Sequence, residues 1–435
     1  MSAALKETEQ GFSARYRGLA ARLPGAAEAR RRAAALFGAR GLPDTREEAW
    51  RFTSLRALAG TVFSRVEEPS EATLRLLARA PESDAPLIVF ADGRMRADLS
   101  RLPRESEAEG GPRGGPGGER GVRVTSFAAE PSFERVGEGE PLVALNTMLA
   151  EDGANITVPA DVDGGTLVLL HLGSGEAGQP PAFHPRHRVR LAAGARLALF
   201  EIALGEGAYL HNPLMEARLA EGAWLLHLRL LEESPDAFHL GSLHVALGAR
   251  SRYEGFALVR GARLARSEVH AAIEGEGAQF FLNAAQMLGG EQLADITTVV
   301  RHEAPGASSR QTIRNVLTGR AHGVFQGRIE VARVAQKTDG YQMNQALLLS
   351  EGAQVSSKPE LEIFADDVKC SHGATVGALD ADQLFYLRSR GVPEKEARAM
   401  LVRAFLGGML DAVPHEWGRS VLEGAVDSWW KGRPA

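Results

Sequence analysis

The 435-residue chain sets 50 Lys and Arg against 55 Asp and Glu, a formal net charge of −5. That balance leaves no cationic excess to neutralise a phosphate backbone, so nucleic-acid binding loses its usual driving force. The longest apolar runs, such as TLVLLHL at 166–172, fall far short of the ~20 residues a membrane helix needs. The opening MSAALKETEQGFSARY offers no basic and apolar leader pattern. A single cysteine excludes an internal disulfide and a four-thiolate metal site within one chain. The expectation is a cytoplasmic protein with neither nucleic acid nor membrane among its partners.

Residues 1–85 carry helical spacing. AEARRRAAALFGARG ends on a glycine stop, and PDTREEAW predicts a new helix with Pro43, Thr45 and Glu48 as a capping box. APLIVFADGRM then reads as a short strand turning at Asp92-Gly93. The segment 105–121 is too rich in glycine and charge to pack and is expected to be a flexible loop closing an N-terminal helical domain, 1–122.

From about residue 150 a near-repeat begins. Gly-Ala pairs recur at Gly153, Gly194, Gly222, Gly248, Gly277, Gly306, Gly352 and Gly373, with steps of 28, 26, 29 and 29 between 194 and 306. Most are followed by apolar/polar alternation. In AWLLHLRLLE, Trp224, Leu226, Leu228 and Leu230 share one face, His227 and Arg229 the other. One such unit cannot bury its own apolar face, whereas stacked units build a continuous core, so a period near 28 argues for a β-solenoid over 123–378. A β-sandwich would show hairpin turns every 8 to 12 residues, and few Asn-Gly or Asp-Gly turns occur.

The only cysteine lies in ADDVKCSHGATVG, 365–377, just before the last Gly-Ala pair, which places Cys370 and His372 on the final coil. In an extended strand Val368, Cys370 and His372 share one face at ~7 Å spacing. A thiolate beside an imidazole, on an edge where a partner could complete the coordination, is half a metal site. On residue chemistry alone, the stronger reading makes Cys370 inert packing and His372 a hydrogen-bonded edge residue. Gln336, Gln342, Asn344 and Gln345 suggest amide ladders or turns. Three helices follow in 379–435. Asp380 caps the first with Gln383, and Pro393 opens the second, whose stripe of Ala397, Met400, Leu401, Ala404 and Phe405 serves either packing among helices and onto the solenoid end or docking of another subunit.

Residues 325–391, FQGRIEVARVAQKTDGYQMNQALLLSEGAQVSSKPELEIFADDVKCSHGATVGALDADQLFYLRSRG, closely resemble the most characteristic region of the SufB/SufD family of iron-sulfur cluster assembly scaffolds. PLVALNTML at 141–149 extends the likeness, and EEAWRFTSL at 47–55 resembles the SufD branch. The absence of further cysteines, which SufB-type subunits carry, also points to that branch. The resemblance implies a mainly β fold, a right-handed parallel β-helix flanked by N-terminal and C-terminal helical domains. It implies a noncatalytic scaffold working with a SufB-type subunit and a SufC-type ATPase. The terminal coil would form the SufB interface, with Cys370 and His372 there as transient, shared metal ligands and Tyr386 and Arg390 in support. The C-terminal helices, through Met400, Leu401 and Phe405, would dock the ATPase.

No G-x-x-x-x-G-K-[ST] loop occurs, so ATP hydrolysis is expected of the partner. No tightly bound cofactor is expected in the isolated chain. In the complex the resemblance implies a nascent iron-sulfur cluster and a link to reduced flavin, although no dinucleotide fingerprint is present. Whether the isolated chain forms a homodimer is left open. The competing function is a β-helix polysaccharide-processing enzyme using Asp366 and Asp367 with a cation.

Overall fold

The computed structural model describes residues 3–103 and 121–431; all but the last residue of the Gly-rich 105–121 segment lies outside them. Between 155 and 377 the chain winds into a β-solenoid of about 8 turns. Each turn gives one strand to a ten-stranded sheet and one to an eleven-stranded sheet, as Trp224–Glu232 and Phe238–Leu247 do. Arg196, Trp224, Arg252, Gln279, Ser308, Asp339 and Lys369 stand one above another by parallel pairing, which is the repeat read from the glycines. Gly194, Gly222, Gly277 and Gly306 take the corners at φ of 68°, 65°, 67° and 66°, a conformation costly for other residues. Gly373 does not mark a corner: the strand Lys369–Gly377 runs straight through it.

Both faces of the ten-stranded sheet are apolar, for different reasons. Leu225, Tyr253, Phe280 and Leu282 point inward and meet Val245, Val269 and Ile273 of the opposite sheet. Leu226, Leu228 and Leu230 point outward, beneath the C-terminal helices. The apolar face of AWLLHLRLLE is therefore the outer one, and His227 turns inward with Arg229. His227 stays buried because Nδ1 meets the Tyr253 hydroxyl at 3.1 Å and Nε2 meets Glu201 at 3.1 Å.

The C-terminal helices lie along the side of the solenoid. Glu394–Leu410 buries Val402, Leu406, Met409 and Leu410, and Glu416–Lys431 sets Trp417 edge-on to Phe200. Arg314 reaches the Phe405 carbonyl and Arg260 that of Ala425, fastening both helices to the sheet. Of the anticipated stripe only Phe405 joins the packing on the outer sheet face, with Leu401 half-buried and Ala404 exposed. The stripe is also split, with Ala397 buried and Met400 46% exposed.

The N-terminal segments cover the outer face of the eleven-stranded sheet. Phe12, Phe37, Trp50 and Leu55 pack on Leu210, Phe238, Leu240 and Leu264. PDTREEAW forms no capped helix; only Glu48–Trp50 coils, as a single 3-10 turn without a side-chain cap. What holds it is tertiary: the Arg266 guanidinium lies 3.8 Å from the Trp50 ring centre and donates to the Ala49 carbonyl at 2.9 Å. The expected strand and turn are present as Leu87–Ala91 with Asp92 and Gly93 at positive φ, and this strand joins the ten-stranded sheet.

Candidate interface at the terminal coil

The last strands of the solenoid are Gln354–Ile363, at the edge of the eleven-stranded sheet, and Lys369–Gly377, at the edge of the ten-stranded sheet. Neither has a strand beyond it among the described residues. The two edges differ. Gln354–Ile363 (QVSSKPELEI) carries Lys358, Pro359, Glu360 and Glu362, the charges and proline that blunt an edge against further pairing. Lys369–Gly377 (KCSHGATVG) carries one charge and no proline. Apolar side chains gather at this end without cover: Phe364 is 65% exposed and Val376 58%.

Register stacks Cys370 on Gly340 and His372 on Gln342. A side chain at Gly340 would bring its Cβ to 3.3 Å from the Cys370 sulfur, so the glycine makes room for the thiol. Cys370 is half-buried against the end of the inner core, whereas His372 is exposed. Burial pushes the Cys370 thiol up and the charge of Asp339 adds to it, against a backbone hydrogen bond from Gly340. It is a packed thiol at neutral pH, and becoming a ligand requires a metal ion to displace its proton. Beneath His372, both amide atoms of the fully buried Gln342 lack a hydrogen-bond partner among the described residues. The amide ladder is realised one column over, where Asn315 donates to Asn344 at 2.7 Å. Gln345 instead accepts from Arg314 at 3.1 Å, and Gln336 holds a turn by accepting from the Asp367 amide at 2.9 Å.

Cys370 and His372 thus share an edge, as their spacing required. Tyr386 and Arg390 do not join them: they belong to the helix Ala381–Ser389 and its C-cap, with the Arg390 guanidinium 5.2 Å from the Tyr386 ring centre. The Asp380 cap is formed, accepting from the Gln383 amide at 2.9 Å. No residue of this helix is buried, and Phe385 is 73% exposed. Phe405 is committed to its own chain, packed on the sheet under the Arg314 guanidinium, which leaves Met400 as the freest of the three anticipated docking residues. Asp366 and Asp367 sit exposed in the turn before the last strand and belong to neither of the cation-holding groups found among the described residues. Val376, Phe364 and Phe385 escaped the sequence reading. Their signal was apolar residues in segments with no further coil to cover them.

Among the described residues the site is the bare end of a solenoid closed along both sides, with Cys370 and His372 on its edge strand. Residues 172–405, just over half of the chain, match the family described as SUF system FeS cluster assembly, SufBD core domain. The chain is 30% identical over 384 residues to the iron-sulfur cluster assembly protein SufD of Escherichia coli, covering 86% of each chain. It is also 30% identical over 403 residues to an iron-sulfur cluster assembly SufBD family protein of Synechocystis, covering 88% of this chain and 87% of that one. A chloroplastic protein of Arabidopsis thaliana, ABCI7, is 33% identical over 286 residues, 64% of this chain and 60% of its own. The chain belongs to the SufBD family of the SUF iron-sulfur cluster assembly system, as a SufD-like subunit.

Proposed function

We propose that this chain is a noncatalytic scaffold that pairs the edge Lys369–Gly377 with a SufB-type subunit and presents Cys370 and His372 to a nascent cluster held jointly with that partner. The unguarded edge carries the reading. A strand with a single charge and no proline, with its own Val376 and the neighbouring Phe364 bare, gains backbone hydrogen bonds and apolar burial when a second edge meets it. Two ligands from this chain leave a cluster half-coordinated, so the cargo is shared by necessity. A SufC-type ATPase docks on the exposed helix Ala381–Ser389 together with Met400. Deleting 379–435 would strip the outer face of the ten-stranded sheet, so Phe385→Asp with Met400→Asp is the cleaner probe of that contact.

Co-expression with SufB-type and SufC-type subunits tests the interface. Val376→Lys should reduce co-purification of the SufB-type subunit at least ~10-fold, by setting an unpaired charge against the partner. His372→Ala should leave assembly intact, since strand pairing rests on backbone groups, and should abolish most of the cluster absorbance per complex. Full recovery of partner with Val376→Lys would move the interface elsewhere, and full cluster content with His372→Ala would reduce this histidine to an edge residue.

A further inference from the structure

Among the described residues, two groups of three side chains could hold a metal ion: His211, Glu233 and His239, and Glu140, His244 and His270. The first needs no ion. Each Glu233 oxygen already meets one imidazole, His211 Nδ1 at 3.0 Å and His239 Nδ1 at 2.6 Å.

The second is built differently. His244 and His270 are register partners on the strands Phe238–Leu247 and Leu264–Ile273, with their neighbours Val245 and Val269 turned to the inner core. Their own side chains therefore point outward, and the two imidazoles stack at 4.7 Å with planes 10° apart. Glu140 is supplied by the residue preceding the helix Pro141–Leu149, every residue of which is buried. One carboxylate oxygen, Oε1, lies 3.3 Å from His244 Nε2 and 3.4 Å from His270 Nε2. His244 is 96% buried by its side-chain exposure of 4%, yet neither ring nitrogen has a hydrogen-bond partner among the described residues. A buried imidazole with two idle nitrogens is costly unless something else binds them.

The spacing says what that is. With metal–nitrogen and metal–oxygen bonds of about 2.0 to 2.2 Å, ligand atoms around a tetrahedral ion stand about 3.3 to 3.5 Å apart. Both nitrogen-to-oxygen separations fall in or at the edge of that window. The ring nitrogens lie within 4.8 Å of each other, and a tilt of the His270 ring, 19% exposed, shortens that third edge. Three of the nearby cations are already engaged, Arg186 by Glu216, Arg266 by Glu268 and Asp295, and Arg301 by Glu330, while Arg135 also acts on Glu140 and on both imidazoles.

We propose that Glu140, His244 and His270 form a binding site for one divalent first-row transition-metal ion of the Fe(II) to Zn(II) group. Two imidazoles and one carboxylate suit such ions, and three protein ligands leave a position for water. Glu140 at 20% and His270 at 19% exposure keep the site within reach of solvent, while two paired strands and a buried helix hold it rigid. This site goes beyond the interface reading: it lies on the outer face of the eleven-stranded sheet, three strands in from its terminal edge.

The test is metal binding to the full-length, tag-free chain without partner subunits. Anaerobic titration with Zn(II), Fe(II) and Co(II) should give one equivalent bound, and the Co(II) form should show visible d–d absorption without a thiolate charge-transfer band. Glu140→Gln, isosteric with the native residue, and His270→Ala should each weaken binding by at least ~100-fold, with unfolding midpoints of the metal-free variants confirming the fold. Cys370→Ala with His372→Ala should leave this binding unchanged. No bound equivalent in the wild-type chain, wild-type affinity in both Glu140→Gln and His270→Ala, or loss of the bound ion with the Cys370 and His372 pair would each overturn the assignment.

Discussion

The two ends of the solenoid are built to opposite specifications. At the first end each sheet finishes in a short antiparallel strand: Arg94–Met95 beyond Leu87–Ala91, and Arg123–Ser126 beyond Ala154–Val158. Both carry arginines in ion pairs, Arg94 with Glu151 at 2.6 Å and Arg123 with Glu130 at 2.5 Å. Shortness, reversed direction and charge together remove the template that a parallel edge offers. At the last end the final strands are 10 and 9 residues long, run parallel, and have no further strand beyond them among the described residues. A solenoid needs caps for solubility, so an end left uncapped among the described residues, in the same chain that caps the other so thoroughly, supports the proposed pairing with a partner.

The sharpest way to break this comparison is to make matched truncations at the two ends. Phe90→Ala removes a ring with 0% exposure, packed 5.4 Å from His171 and 5.1 Å from His187 between centroids. It should cost about 3 to 5 kcal/mol in urea unfolding. Val376→Ala, at 58% exposure, should change the stability of the isolated chain by less than ~0.5 kcal/mol. Equal losses would mean that the last coil is as buried as the first.

Acid should act most on the capped half. Burial lowers His184 to about 3 and His187 to about 4, both below an unfolded value near 6.5. Between those values the unfolded chain binds more protons than the native one, so this stability is complete above pH 6.5 and is lost as pH falls towards the native values. From pH 7 to 5.5 the loss should be about 1.3 kcal/mol for each imidazole, about 2.5 kcal/mol for the two. The interior of the last coils holds the amides Gln311, Asn315, Gln342 and Asn344, which do not titrate, together with one buried imidazole, His302, lowered by burial to about 4, which adds to the same loss. Urea midpoints at the two pH values measure the effect, and identical midpoints would show that these imidazoles are not held neutral. The smallest effect belongs to Cys370→Ala. A half-buried thiol on the outermost coil should be worth about 1 kcal/mol or less in the isolated chain. A loss of several kcal/mol by the same measurement would make Cys370 a core residue rather than an edge group.

Much of this was legible in the residues. The Gly-Ala steps marked the coils because a tight corner needs positive φ, and Asp380 with Gln383 marked a helix start because the cap is a local hydrogen bond. What the sequence withheld depends on partners distant in the chain. Alternation in AWLLHLRLLE reveals two faces but not which is inner, since a sheet covered by helices wants apolar residues outside as well. PDTREEAW has the letters of a capping box, yet Trp50 is drawn onto Arg266, more than two hundred residues away, and the helix is forfeited. The Cys370 and His372 edge was readable because both ligands lie on one strand. Glu140, His244 and His270 come from three segments and leave no pattern in one dimension.

The short antiparallel strands Arg94–Met95 and Arg123–Ser126 also fix the valence of the molecule. A rod with two adhesive ends is a monomer for polymerisation, and any heterologous stacking of such rods extends without limit. With one end passivated, the rod is monovalent. On the proposed pairing, whatever meets the strand Lys369–Gly377, a related subunit or a second copy about a twofold axis, occupies the one bare coil end among the described residues, and growth stops at two rods. The same feature makes the two outcomes mutually exclusive: each copy engaged with its own kind is one fewer available to a different partner. On that pairing, the ratio in which the chains are made and the relative affinities of the two pairs together set which pair forms.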